Sequence, residues 1–211
     1  MKLFFLILSV LSFLLFLFTI GCQLSGAGFC SAISDYFVYS GSASIHLGLF
    51  SLAMFFLWKK DLRSTMCSIG LPGNIRDNLF YSAMTLSAIF LVLFCLGVAA
   101  IVLKFNDQQK VSDKITSLPT LVLLFAVVGA PLTEELFFRA FLVPRTGIVI
   151  SAIVFGLLHF AYGSVVEVLG ALVIGLVLGA SYKFSKSVAP CMLAHLLYNA
   201  ISITVITSFS G

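Results

Sequence analysis

Charge is what this chain has least of. Only 9% of its 211 residues are Asp, Glu, Lys or Arg, and 61% are hydrophobic; soluble domains carry roughly 25% charged residues. With a mean hydropathy of +1.16, that shortage excludes an ordinary soluble domain. Several separate runs exceed the roughly 18 apolar residues that mark a spanning helix, so the chain reads as an all-α, polytopic membrane bundle. The formal net charge of +4 comes from basic residues scattered over short loops. They form no basic stripe or aromatic platform, so nucleic acid is excluded as a partner.

The missing motifs narrow the chemistry further. The five cysteines (Cys22, Cys30, Cys67, Cys95, Cys191) make no CxxC and no Cys/His spacing of a zinc site. Cys22 and Cys30 flank one loop and could pair if it faces an oxidising space; the reading adopted is that they stay unpaired. There is no HExxH and no Gly-x-Ser-x-Gly, which excludes the familiar zinc and serine hydrolase frameworks. Every Asp falls in a predicted loop, so no membrane aspartate dyad exists.

What is present is a series of seven apolar runs. The first, Leu3–Ile20, follows Lys2. A signal peptide is the competing reading, since Gly21-Cys22 faintly resembles a lipoprotein cleavage site. The run is long for a core of about 7–15 residues, and the reading adopted is a first spanning helix. A Gly/Ser-rich stretch from Gln23 to Ser44 is expected to be a loop, with Tyr36 and Tyr39 suited to an interface. The second run, Ser44–Trp58, stops at Lys59-Lys60 and carries His46 at its outer end, read as a packed or interfacial histidine. Asp61–Asn78 contains the turn signal Gly70-Leu71-Pro72-Gly73. The third helix is expected over Leu79–Leu103, followed by a polar loop, Lys104–Ser117. The fourth begins near Leu118 and ends at Pro144-Arg145. Gly147–Tyr162, Val165–Tyr182 and Val188–Ser208 complete the set, and the whole of 1–211 reads as a single transmembrane domain. In the sixth, Ala171, Gly175 and Gly179 form a small-residue stripe suited to close helix packing. Glu167, near that helix's outer end, is read as interfacial.

Inside the fourth run lies Pro131-Leu132-Thr133-Glu134-Glu135-Leu136-Phe137-Phe138-Arg139. Ionisable groups at membrane depth are costly and mark functional sites by default. Glu135 and Arg139, four apart on a helix, can pair on one face, which leaves Glu134 about 100° away and free to enter a cavity. Pro131 removes a backbone donor, so a kink or break is expected just before Glu134.

Depth ties this stretch to other helices. With the amino terminus inside, nine of the twelve Lys/Arg (Lys2, Lys59, Lys60, Arg63, Arg76, Arg139, Arg145, Lys183, Lys186) lie at or within the inner side. Only Lys104, Lys110 and Lys114 lie outside, as the positive-inside rule requires. The expected location is a cell membrane, multi-pass, with a cytoplasmic amino terminus. Counted from the inner ends, Glu134 lies roughly 16 Å deep, His159 roughly 18 Å, His195 roughly 10 Å and Asn199 roughly 16 Å. His195 and Asn199 share a helix face, as do Phe155 and His159. A carboxylate that takes a proton from water, an imidazole that positions that water, and further donors for an oxyanion are the parts of amide hydrolysis. The candidate catalytic residues are therefore Glu134, His159, His195 and Asn199, supported by Glu135 and Arg139. A metal held by Glu134, His159 and His195 is chemically possible; the reading adopted has no metal and no cofactor.

Glu134-Glu135-x-x-x-Arg139, Phe155-x-x-x-His159 and His195-x-x-x-Asn199 follow one another on successive hydrophobic helices. In order and spacing they resemble the three motifs of the CAAX prenyl protease and bacteriocin-processing (CPBP, or Abi) family of intramembrane glutamate proteases. The resemblance covers about Leu118–Ser208. It implies a metal-independent endopeptidase in which Glu134 is the base, His159 assists, His195 and Asn199 stabilise the oxyanion, and Glu135 with Arg139 holds the motif in shape. It also implies cleavage near the cytosolic membrane face, with a peptide or lipidated protein as substrate and membrane lipid as surroundings. Ala140 departs from the glycine often found after the arginine in such sequences. The alternatives are a proton-coupled transporter, in which Glu134, Arg139 and the histidines form a relay, and a non-catalytic immunity or binding membrane protein.

Overall fold

A computed structural model describes residues 1–25, 34–105 and 107–209, and all of the regular structure among them is helical. The elements are α1 (Lys2–Ser25), α2 (Ser34–Leu57), α3 (Leu62–Ser68), α4 (Ile75–Val102), α5 (Gln109–Thr116) and α6 (Thr120–Glu135). A π-helical segment, Leu136–Leu142, leads into α7 (Val143–Leu158), which ends in a 3₁₀ turn, His159–Tyr162. Then follow α8 (Val165–Ser185) and α9 (Ala189–Phe209).

Among the described residues six stretches are long and apolar enough to cross a membrane, the fourth being the 43-residue stretch Thr120–Tyr162. That stretch is two arms. Gly147 has φ 85° and ψ 171°, a left-handed conformation that glycine tolerates and other residues resist. Beyond it the chain turns back: the Ser151 hydroxyl donates to the Phe138 carbonyl at 3.0 Å. A straight helix would separate those residues by about 20 Å. Counting both arms gives seven, as the hydrophobic runs predicted.

Four expectations need correction. The second helix starts at Ser34, ten residues before the expected Ser44, so His46 lies well inside it rather than at its end. The polar loop from Lys104 contains α5, whose Val111 and Ile115 are buried, four apart on one face. Pro131 sits inside a continuous α6; the helix departs from α geometry only after the two glutamates. Before the glutamates, the Thr133 hydroxyl bonds back to the carbonyls of Gly129 and Ala130 at 3.1 and 3.0 Å. Among the cysteines, Cys67, Cys95 and Cys191 are free, but Cys22 is disulfide-bonded, contrary to the unpaired reading; Cys30 lies outside the described residues.

The core gathers around the π-helical segment. Phe138 and Phe155 are almost fully buried, with Leu178 of α8, Val188 of the α8–α9 loop, and Cys191 and Ala194 of α9 beside them. Phe138 meets Phe155 edge to face at 5.0 Å. Lipid tails are as apolar as these side chains, so close packing rather than water exclusion must hold such a bundle together. The small-residue stripe serves that need. A Cβ on Gly175 would lie 3.0 Å from the Ala152 Cα, and one on Gly179 2.7 Å from Ile148 Cγ2, so α8 lies directly on α7. At the other end of α8, Asp107 accepts from the Ser164 hydroxyl at 2.6 Å and from the Val165 and Val166 amides at 2.8 and 3.2 Å. Those bonds, the Ser164 hydroxyl first, hold the Asp107 carboxyl below its ordinary value.

Candidate active site

Four helices converge on the two glutamates. Glu135 has no exposed surface. Its Oε2 accepts from Arg139 Nε at 2.8 Å, and its Oε1 faces Arg139 Nη2 at 3.3 Å. The same Oε1 lies 2.9 Å from His195 Nδ1 on α9. The carboxylate thus joins the cation of its own helix to an imidazole of another. The Arg139 guanidinium, also without exposed surface, lies 5.0 Å over the Phe155 ring. That contact offers its positive face a partner where no water reaches it.

Because Nδ1 of His195 is bonded to a carboxylate, it carries the ring proton in the neutral form and Nε2 presents a lone pair. That Nε2 stands 3.8 Å from Glu134 Oε2. Glu134 keeps only 15% of its side chain exposed, so it points into the bundle. Its other oxygen, Oε1, lies 3.8 Å from Nε2 of His46 on α2.

His159 sits in the 3₁₀ turn that ends α7. Its Nδ1 is 2.9 Å from the Phe155 carbonyl, which leaves Nε2 as the nitrogen available to a reactant. Phe155 touches both catalytic candidates: its ring centroid is 4.8 Å from that of His159 and 5.8 Å from that of His195. Tyr162 stacks on His159 at 6.0 Å, its ring nearly parallel. Asn199, one turn beyond His195, donates from Nδ2 to the Ala126 carbonyl at 2.9 Å, tying α9 to α6. Of the residues expected together, Glu134, Glu135, Arg139 and His195 form one contacting cluster, and Phe155 links His159 to it. Asn199 is directed to the backbone of α6.

The residue missed by sequence reasoning is His46. The signal was present: the chain has only three histidines, and the same depth count places His46 roughly 16 Å from Leu57, the inner end of α2. Glu167 was read as interfacial. It lines a cavity of about 520 Å³ with Gln108, Ser112, Tyr198 and Ser202, between α5, α8 and α9.

Bundle and cluster together define a class, a polytopic membrane protein with a buried carboxylate–imidazole site. Residues 116–201 match the model of the family described as type II CAAX prenyl endopeptidase Rce1-like, which agrees with the resemblance carried by the motifs. The matched segment holds Glu134, Glu135, Arg139, His159, His195 and Asn199, and it excludes α1 to α4. A protein of Mycoplasma capricolum subsp. capricolum, described as an uncharacterized protein, is 32% identical over 92 residues, 41% of this chain and 27% of that relative. The aligned part therefore spans about a quarter of that relative's length. No solved structure matches the chain.

Proposed function

We propose that the protein is an intramembrane endopeptidase that hydrolyses a peptide bond with a glutamate-activated water, near the cytosolic face of the membrane. The observation that carries this reading is the placement of Glu134. It is an inward-facing carboxylate 3.8 Å from His195 Nε2, within a segment matched to a prenyl endopeptidase family. In this mechanism Glu134 takes a proton from water while His159, through Nε2, holds that water in place. The water oxygen bonds to the substrate carbonyl carbon, and the electron pair of the C=O bond moves to its oxygen. His195, in its protonated state, and the second amide hydrogen of Asn199 donate to that oxyanion. Glu135 stabilises the charged His195 much as a carboxylate supports the histidine of a serine-protease triad. When the tetrahedral centre collapses, the C–N bond breaks and Glu134 returns the proton to the leaving amine.

The substrate class is a membrane-borne peptide or lipidated protein, and no metal takes part in this scheme. The amino terminus is assigned to the cytoplasm. Basic side chains of α3, the α7 turn and the α8–α9 loop gather at one end of the bundle, as the positive-inside rule requires. The bonded Cys22, at the opposite end of α1 from Lys2, suits an oxidising exterior.

The test incubates purified full-length protein with membrane-anchored peptides, prenylated and plain, and reads the products by mass spectrometry. Glu134→Gln is expected to abolish cleavage while leaving the protein folded and inserted. Retained cleavage in that variant removes Glu134 from the role of base. Loss of turnover with chelator and its return with zinc overturns the metal-free chemistry.

A further inference from the structure

We propose that His46, on a helix outside the segment matched to the family, is a positioning residue for Glu134; the proposal rests on the hydrolase reading above. Two contacts define its role. Nδ1 lies 2.8 Å from the Thr133 hydroxyl, and Nε2 lies 3.8 Å from Glu134 Oε1, so one ring engages two consecutive residues of α6.

The hydroxyl favours one tautomer. Thr133 has one O–H, and the geometry directs it to the backbone carbonyls of Gly129 and Ala130. Its oxygen is then an acceptor toward His46, which must supply the proton from Nδ1. Nε2 of His46 therefore presents a lone pair to Glu134, an acceptor for the proton that Glu134 holds after taking it from water, while the protonated His195 faces the other oxygen through Nε2. The carboxyl group is held between two imidazoles, Oε1 toward His46 and Oε2 toward His195. A carboxyl with a single ring partner could rotate; one that meets an acceptor nitrogen at Oε1 and a protonated ring at Oε2 keeps a fixed plane while it holds the proton. That fixed plane is what proton transfer from a positioned water requires.

The ring is also held from behind. Phe125 meets His46 edge to face at 5.0 Å. It lies across its own helix at Gly129, where a Cβ would come within 2.3 Å of the Phe125 ring. His46 keeps only 13% of its side chain exposed. A merely lipid-facing or interfacial histidine would need none of these arrangements.

Two substitutions separate the contacts. In His46→Gln the terminal amide reaches the place of Nε2 and can turn either its oxygen or its nitrogen toward Glu134. In His46→Asn the amide reaches only the place of Nδ1, so the Thr133 contact survives and the Glu134 contact is lost. Cleavage is expected to stay within about threefold of the parent in His46→Gln. In His46→Asn kcat should fall by roughly a hundredfold, the scale of a misplaced catalytic group, with KM little changed. Equal activity of the Asn variant and the parent, or equal losses in both variants, overturns the proposal. A second measurement does not need turnover. With only three histidines in the chain, ¹⁵N spectra of histidine-labelled protein resolve each ring, and the His46 Nε2 resonance should move on Glu134→Gln substitution. An unmoved His46 resonance overturns the contact. A moved resonance in a protein that cleaves none of the peptides supports the contact and sinks the hydrolase reading instead.

Discussion

Glu135, rather than Glu134, fixes the residue-scale architecture. It has no exposed surface and bonds Arg139 on one side and His195 on the other. Removing one member of a buried ion pair leaves an uncompensated charge and costs about 3–5 kcal/mol, whereas replacing both can be close to neutral. Arg139→Met should therefore lower stability by about that amount. The double variant Glu135→Gln with Arg139→Met should recover most of the loss, because the amide oxygen of the introduced glutamine still accepts from His195. Thermal unfolding in detergent micelles checks the order; a double variant no more stable than Arg139→Met alone refutes the account. The pairing of Glu135 with Arg139 was legible from their four-residue spacing. The bond to His195 was not, because sequence separation of 60 residues carries no register between helices. His46 was hidden for a different reason: with its helix taken to begin at Ser44 it stood at the outer end, where a histidine reads as interfacial, although its distance from the inner end could already be counted.

At the scale of elements, the seven hydrophobic runs were readable because lipid demands long apolar helices whatever their neighbours do. Pro144 and Gly147 likewise marked the reversal between the fourth and fifth arms. What escaped were features decided by packing. Gln109–Thr116 carries enough charge to read as loop, yet it folds because Val111 and Ile115 find a buried face. The proline at 131 was expected to break the helix. Instead the wide turn begins at Leu136, where Phe137, Phe138 and Phe141 must all be accommodated in the core; π-helical insertions often occur at functional sites. The small-residue stripe was legible, and it offers a test at this scale. Gly175 faces the Ala152 backbone at a distance that leaves no room for a larger group. Gly175→Leu should force α8 away from α7 and cost about 1–3 kcal/mol, the usual penalty of overpacking. Since α7 carries Phe155 and His159, cleavage should fall with it. Gly97, whose Cβ would meet nothing within 4 Å because it borders a cavity shared with Leu93, Glu167 and Gly170, supplies the control: Gly97→Ala should leave both stability and cleavage near the parent.

For the whole molecule, the two ends of the bundle differ in chemistry, and this difference fixes a direction that labelling can read. At one end the α3 turn meets the α8–α9 loop: the Ser187 hydroxyl donates to the Gly70 carbonyl at 2.9 Å, and the Val188 amide to the Ile69 carbonyl at 3.1 Å. Lys59, Lys60, Arg63, Lys183 and Lys186 belong to the segments around this junction. At the other end, Asp107 caps α8 and pairs with Lys110 at 3.9 Å. Seven crossings place the described ends of α1 and α9 on opposite sides, so one orientation settles every loop. Nature has supplied a probe at the basic end, since Cys67 in α3 is free and exposed, while Cys191 is buried. With the basic end in the cytoplasm, a membrane-impermeant thiol reagent should leave Cys67 untouched on intact cells and label it after permeabilisation. Lys110→Cys, on an exposed side chain at the opposite end, should label without permeabilisation in a Cys67→Ser background. Labelling of Cys67 from outside intact cells would invert the bundle. In that case Glu134, which is reached from the same end as Arg145, would serve a substrate delivered from the exterior, and the positive-inside argument would have to yield to the measurement.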